Sequence, residues 1–304
     1  MSNIFSIGFY NLENLFDHRT ISANKDHDYT SKGYYAWSES RYKRKIENLS
    51  NVISEIGTSR SEIPPIILGV CEVENEACLE DLVNSAALKP YGYGYIFKQS
   101  PDLRGINVAL LYQKKYFDPL AFKSYSIEKI QDKTRDILAI NGKLLGQTVH
   151  MIVNHWPSRT DGIQKTNIKR EEAAKLLQSI LSDVYEQDKK AQVIVLGDFN
   201  DDPDSKSVQR ILTKGHTNLM ESFQKNNIGS VKFKGKWKAF DQIILNSNLL
   251  DSNWFQFLST HVFCKPYLTQ KTGRYKGSPK RTFIGNYHLG GYSDHYPVFI
   301  YFQG

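Results

Sequence analysis

Cysteine is scarce in this chain, and its scarcity excludes two architectures. Three cysteines (Cys71, Cys78 and Cys264) cannot build a disulfide framework, and none stands in a CxxC pair that would begin a thiolate zinc site. Long apolar runs are missing too, since no stretch approaches the length needed to cross a bilayer. The opening "MSNIFSIGFYNLENLF" lacks the charged start and long apolar middle of a signal peptide. A cytoplasmic location is expected, with secretion left open should a leader have been trimmed. The closing "YFQG" resembles a protease-site remnant, which leaves the native C-terminus open. No repeat, low-complexity tract or Pro/Gly/Ser linker divides the chain, so one domain over residues 1–304, and a monomer, are expected.

Several catalytic signatures are absent as well. There is no GxxxxGK[ST] for a nucleotide loop, no GxSxG elbow, no HExxH and no calcium loop of EF-hand pattern. What remains is an ordinary globular composition, 40% hydrophobic and 23% charged, which can bury a sizeable core. A formal net charge of +7 favours polyanionic partners, nucleic acid among them, although mild basicity serves solubility equally.

Short strand-like runs recur: "IFSIGFYNL", "PPIILGVCEV", "YGYIFK", "INVALLY", "QTVHMIVNHW", "AQVIVLGDFN", "FDQIILN" and "YPVFIYF". Two, Ile66–Val70 and Val193–Leu196, are nearly continuous in apolar residues, as strands buried on both faces require. Apolar stripes at helical spacing predict helices over Trp37–Ile56 and Glu171–Tyr185, with a shorter one over Cys78–Ala87. A mixed α/β domain follows. Its polar residues collect at strand ends: Asn11 and Glu13, Glu72, Asn154 and His155, Asp198 and Asn200, Asp241, and Asp294–His295. One polar strand end is punctuation; six suggest a rim discharging into one cleft.

Each motif has two readings. In "VIVLGDFND" Asp198 and Asn200 share one side of an extended segment, suiting proton or cation and phosphoryl work, though Gly-Asp also marks a plain turn. Glu72 directly after an apolar strand needs a cation or a donor, and one carboxylate can suffice for Mg²⁺; a solvated strand end is the alternative. Glu74 and Glu76 fit the acidic start of the following helix. His155, with Asn154 and Arg159 in "VNHWPSR", is either a structural imidazole or a phosphate contact. Arg104 beside Asn107 could grip phosphate or pair with Asp102. Lys280 and Arg281 form a basic loop ahead of Asp294, facing substrate or simply solvated. The inventory suits a hard cation and a phosphate.

Taken in order, "FYNLENLFD", "GVCEVEN", "SPDLRGINVALLY", "NHWPSR", "VLGDFND", "KAFDQIIL" and "GYSDHYPV" resemble the motifs of the endonuclease/exonuclease/phosphatase superfamily. Its members include abasic-site endonucleases, pancreatic deoxyribonuclease, inositol-polyphosphate 5-phosphatases and bacterial sphingomyelinases. The resemblance runs from Ile4 to Val298, with wording most similar to bacterial members. It implies a four-layer α/β/β/α sandwich of two packed, mostly antiparallel sheets flanked by helices. It also implies a Mg²⁺- or Mn²⁺-dependent phosphoesterase. Glu72, Asn11, Glu13 and Asp294 would hold the metal. Asp198, Asn200, His155, Asp241 and His295 would be catalytic, and Arg104, Asn107, Asn154, Arg159 and Arg281 would bind substrate. No motif position carries an inert replacement, which speaks against an inactive member.

A nuclease is expected within that class, on the basic charge. The alternatives are a phosphatase or phosphodiesterase acting on a phosphoinositide, phospholipid head group or soluble metabolite, and a non-enzymatic basic nucleic-acid-binding module. A lipid role would call for an exposed aromatic hairpin, and the aromatic "KPYGYGYIF" fits a half-buried strand equally well.

Overall fold

The computed structural model describes residues 3–19, 27–128, 133–159, 162–212 and 215–304. Its sheet strands are β1 (Ile4–Leu15), β2 (Ile67–Val73), β3 (Tyr93–Phe97), β4 (Asn107–Gln113), β5 (Phe117–Tyr125), β6 (Ile137–Leu144), β7 (Gln147–His155), β8 (Val193–Asp198) and β9 (His216–Asn218). Then come β10 (Val231–Phe233) and β11 (Lys236–Lys238), β12 (Asp241–Asn246), β13 (Gln256–Val262), the short β14 (Phe283–Ile284) and β15 (Tyr287–His288), and β16 (Val298–Gln303). Three longer helices matter here: α1 (Glu39–Glu55), α2 (Glu76–Val83) and α3 (Ile163–Gln187).

Two six-stranded sheets carry the fold, ordered β13-β16-β1-β2-β4-β3 and β5-β6-β7-β8-β12-β9. Side-chain alternation sorts the layers. Ile7 and Phe9 of β1, Ile194 and Leu196 of β8, and Ile300 and Phe302 of β16 fill the space between the sheets. Tyr10 and Leu12 of β1, with Phe299 and Tyr301 of β16, face outward to α1 and α2. Val193 and Val195 of β8 face outward to α3. The result is the expected four-layer sandwich, and the two continuous apolar runs are buried on both faces. The final "YFQ" lies in β16, with Phe302 stacked on Phe255 at 4.4 Å between ring centroids.

Each sheet is antiparallel except for one central pair, β1–β2 in the first and β7–β8 in the second. These four strands pack against one another across the core and end at the same edge. Strands running toward that edge deliver residues there at or near their ends: Asn11, Glu72, His155 and Asp198. β12 and β16 run the other way and deliver their approach residues, Asp241 and His295. The rim expected from the sequence is thus a consequence of strand direction.

Three features differ from expectation. β5, β6, β9 and β13 of the two large sheets, and the short β10, β11, β14 and β15, lie outside the sequence expectation. β5 and β13 are half-exposed edge strands with mixed polarity, so their periodicity is weak, and β9, β10, β11, β14 and β15 are only two or three residues long. α3 begins at Ile163 instead of Glu171, because its first two turns are too polar to show a stripe. α2 starts at Glu76, two residues early, where the Asn75 side chain caps the Cys78 N–H at 3.0 Å. Among the described residues, no helix is long and apolar enough to cross a membrane.

Candidate active site

The site is assembled where the parallel strands end, and backbone irregularities aim its side chains. Cys71 packs between the sheets, yet Val73, of the same parity, packs on the outer face. The switch is a bulge: pairing with β4 slips between Cys71 and Val73, and Glu72 takes φ +63°. β1 slips likewise between Asn11 and Leu15, where Glu13 and Asn14 have φ +48° and +53°. Asn200, at +49°, turns the chain after β8. Left-handed backbone at a non-glycine residue costs up to about 1–3 kcal/mol, and four of the nine such residues among those described lie at this rim. Gly197 is required for a different reason. A Cβ there would lie 2.6 Å from the Asn154 carbonyl, so only glycine lets β7 and β8 close up beneath Asp198.

Asn11 is the hub. Its Nδ2 donates to Glu72 Oε1 at 3.3 Å and to Asp198 Oδ2 at 3.1 Å. Its Oδ1 accepts the Glu13 N–H at 2.9 Å. A backbone N–H can only donate, which fixes the amide with its NH₂ toward the carboxylates. Glu72 Oε2 accepts the Asn14 N–H and Asp198 Oδ1 the Asn200 N–H, both at 2.9 Å. His155 Nε2 sits 3.7 Å from Glu72 Oε1 and 3.8 Å from Asp198 Oδ2. His295 Nδ1 is 2.6 Å from Asp241 Oδ2, while its Nε2 looks across to Asp198 Oδ2 at 4.0 Å. Ser293 ties this pair to β1, donating its hydroxyl to the Asn11 carbonyl at 2.7 Å and accepting the His295 N–H at 3.1 Å.

Burial and neighbouring charge separate the two imidazoles. Burial, then Arg135, Arg104 and His295, hold His155 well below the ordinary imidazole range, so it is neutral. Burial works to discharge His295 as well, but Asp241, Asp198 and Asp294 hold it well above that range. Burial, followed by the Asp241 carboxylate, pushes Asp198 up to about 7. Buried carboxylates this close need a cation. Asp198, Asp241 and His295 have ligand atoms within 4.8 Å of one another, but His295 is charged and held by Asp241, so this group offers a cation only carboxylate oxygens; Asp198, His155 and Cys71 form a second such group. With Glu72 beside them, the donors are mostly hard oxygens, and a divalent ion of the Mg²⁺ or Mn²⁺ kind fits them.

Not every expected residue reaches the cleft. Asn11, expected to ligate, turns its NH₂ to the carboxylates and its oxygen to the Glu13 N–H. The Glu13 carboxylate turns away: Oε2 accepts the Thr282 N–H at 2.6 Å and lies 3.7 Å from Lys45 Nζ. Asn107 is fully buried, accepting from Ser100 and donating to the Val73 and Glu74 carbonyls. Asn154 is equally buried, accepting from the Trp156 indole and donating to the Leu196 carbonyl. Both amides brace strands and have nothing to offer a substrate. Glu74 is no helix-start residue but a buried carboxylate that accepts the Asp17 N–H at 2.6 Å. Asn200 stays at the rim, its Nδ2 donating to the Trp156 carbonyl at 3.0 Å. Arg159 donates to the Asn200 carbonyl and pairs with Asp201, while Arg281 reaches Asp294 at 3.2 Å. Arg104 is exposed near His155.

Two residues escaped the sequence reading. Arg135, ahead of β6, is buried with Nη2 on the Trp156 carbonyl at 2.7 Å and Nη1 3.4 Å from Asp102. An Arg-Asp pair leading into an alternating run was its only signal. Lys45, on the buried stripe of α1, had none. Its Nζ donates to Thr282 Oγ1 and to the Tyr292 carbonyl, both at 2.6 Å, beside Glu13. This cation fastens the 280–292 segment to β1. Lys45→Met is expected to destabilise the fold by about 3 kcal/mol, the low end for a broken buried pair. Glu13 already stands near 7, raised first by burial and then by Asp294, so it can take up a proton when its partner is lost. Urea unfolding of the variant checks this; an unchanged midpoint would show that the pair holds nothing.

The sequence model described as the Endonuclease/Exonuclease/phosphatase family matches residues 6–304. No curated protein matches the chain in sequence. Among solved structures, TDP2 of D. rerio complexed with a single-strand DNA product is 17% identical with a TM-score of 0.62, covering 99% of each chain. A mannosyl-6-phosphatase of Bacteroides thetaiotaomicron is 18% identical with a TM-score of 0.61, covering 98% of this chain and 99% of its own. The human Nocturnin catalytic domain with bound sulfate is 14% identical with a TM-score of 0.59, covering 100% and 96%. At these identities the likeness is one of fold.

Proposed function

This chain belongs to the endonuclease/exonuclease/phosphatase family, and from that premise we propose that it is a Mg²⁺- or Mn²⁺-dependent phosphoesterase, hydrolysing a phosphate ester by in-line attack of water. The observation that carries this reading is the convergence of Glu72 and Asp198 on the Asn11 amide, opposite the Asp241–His295 pair. Glu72 would be the principal ligand of the cation, with Asp198 beside it. When bound, the ion would neutralise charge on the phosphoryl oxygens. Asp294, drawn to Arg281, would stand on the same side at greater exposure.

The protein's own groups do the rest. Asp198 Oδ2, held by Asn11, orients the attacking water and takes its proton. Asn200 keeps Asp198 Oδ1 occupied, so only Oδ2 is available to the cleft. His295, charged and steadied by Asp241, donates from Nε2 to a phosphoryl oxygen as negative charge develops. His155, neutral, presents Nε2 at the opposite wall. Arg104, Arg159 and Arg281 ring the opening as phosphate contacts. We take residues 1–304 as one domain acting as a monomer.

A non-enzymatic basic module is the weaker reading, because Glu72, Asp198 and Asp241 would repel phosphate unless a cation were held among them. The deciding experiment is hydrolysis of bis(p-nitrophenyl) phosphate, abasic DNA, single-stranded DNA and a phosphoinositide by the purified protein. At least one should turn over with Mg²⁺ or Mn²⁺, stop with EDTA and resume when the metal is returned in excess. Hydrolysis indifferent to EDTA would refute the proposed site.

A further inference from the structure

The positive charge of this chain is not spread evenly. Two stretches, residues 222–240 and 252–293, contain no aspartate or glutamate. They hold Lys225, Lys232, Lys234, Lys236 and Lys238 in the first, and Lys265, Lys271, Arg274, Lys276, Lys280 and Arg281 in the second. That is eleven of the 39 basic residues with none of the 32 acidic ones; the remaining 28 cations face all 32 acids, a net charge of −4. The whole positive excess therefore resides in these two stretches. Each runs directly into an acid of the candidate site, the first into Asp241 and the second into Asp294.

The fold brings them together at that site. The Tyr296 N–H donates to the Ser230 carbonyl at 2.7 Å, and Val231 forms an isolated bridge with His295. Trp237 of the β10–β11 hairpin stacks on Tyr296, and the Tyr296 hydroxyl meets Thr269 Oγ1 of the second stretch at 2.6 Å. Lys234, Lys236, Lys265, Lys271, Arg274 and Lys276 are exposed. Among the described residues, only Lys225, Lys238 and Arg281 of the eleven are in ion pairs, with Glu221, Asp202 and Asp294.

We infer that the β10–β11 hairpin and the 265–281 segment form a basic track, flanking the catalytic cleft, that binds a single-stranded nucleic acid. The inference rests on the phosphoesterase reading for its polarity and adds the substrate class. A lone phosphate is satisfied by two or three donors, whereas eleven cations on two segments suit a chain of phosphates. Aromatic rings interleave the cations, as base stacking requires: Lys232 lies over Trp237 at 5.7 Å, and Tyr275 lies between Arg274 at 5.8 Å and Arg281 at 5.4 Å. A lipid surface is less well matched. The hairpin tip offers Lys234, Gly235 and Lys236, and its tryptophan packs down on Tyr296 instead of projecting as an apolar wedge.

The test measures binding and chemistry separately. Anisotropy of a fluorescein-labelled oligothymidylate of about twenty nucleotides is followed in EDTA across about 50–200 mM NaCl. The variants are Lys232→Ser/Lys234→Ser/Lys236→Ser and Lys271→Ser/Arg274→Ser/Lys276→Ser. Each should weaken binding about tenfold and lower the slope of log K against log salt by about 2, at ~0.7 per lost phosphate contact. Turnover of bis(p-nitrophenyl) phosphate with Mn²⁺ should stay within about twofold of the parent, which also certifies the fold. Unchanged affinity and slope in both variants would overturn the inference. So would retention on phosphoinositide-containing vesicles, lost in the variants, by a protein that does not bind the oligonucleotide. A parent that binds the oligonucleotide through these residues yet hydrolyses none of the reporters would leave the track standing and remove the phosphoesterase reading.

Discussion

Asp198→Asn is expected to lower kcat by about 10²–10⁴-fold, the range for losing a positioned proton acceptor. The substitution keeps the shape of a side chain that is 1% exposed, and the amide oxygen can still take the Asn200 N–H. What is lost is the second oxygen. Oδ2 is the atom that receives the Asn11 amide and faces both His155 and His295. An NH₂ there meets the Asn11 NH₂ donor to donor, and it can neither accept a proton from water nor share a cation with Glu72. The effect should fall on kcat more than on KM, because the phosphate contacts at the mouth are untouched. Initial rates at saturating Mn²⁺, with thermal unfolding as a control for folding, decide the matter. A folded variant retaining a tenth or more of the parent rate would exclude Asp198 from the chemistry.

Breaking the Asp241–His295 pair should cost nearly as much. Asp241 is fully buried and its Oδ2 lies 2.6 Å from His295 Nδ1, which keeps the imidazole charged and aims Nε2 into the cleft. Asp241→Asn removes the charge that holds the proton, and His295→Gln removes the donor itself. Each is expected to reduce kcat by about 10²–10³-fold, the range for losing one donor to developing negative charge. The two residues act as one unit, so the double variant should be no slower than His295→Gln alone. Independent roles predict instead the product of the two losses. A double-mutant cycle on kcat distinguishes these outcomes, and multiplicative losses would refute a shared function.

Much of this was legible in the chain. The apolar runs at Ile66–Val70 and Val193–Leu196 announced strands covered on both sides, and α1 announced itself by its stripe. Polar residues at strand ends were visible too, because a carboxylate such as Glu72 placed directly after a buried run has few inexpensive alternatives. A residue's role is hidden in the chain where its side chain suits two environments. Asn107 and Asn154 stood beside the right motifs, yet an amide that can ligate phosphate can equally brace two backbones. Glu13 has the position of a metal-side residue in its motif. In the fold it serves Lys45 and Thr282, neither of which is near it in sequence.

Which residues could do chemistry, and which runs would be buried, follow from composition and periodicity, and these are local properties that the sequence carries by itself. The segregation of positive charge into residues 222–240 and 252–293 is of the same kind. Partnership is not. Asn11 meets Asp198 across 187 residues, and Asp241 meets His295 across 54. Those distances are closed by strand direction, by pairing register and by bulges that turn Glu72 and Asn14 to one edge. Only the tertiary structure decided them, because a hydrogen bond depends on ångström-scale placement that no local pattern encodes.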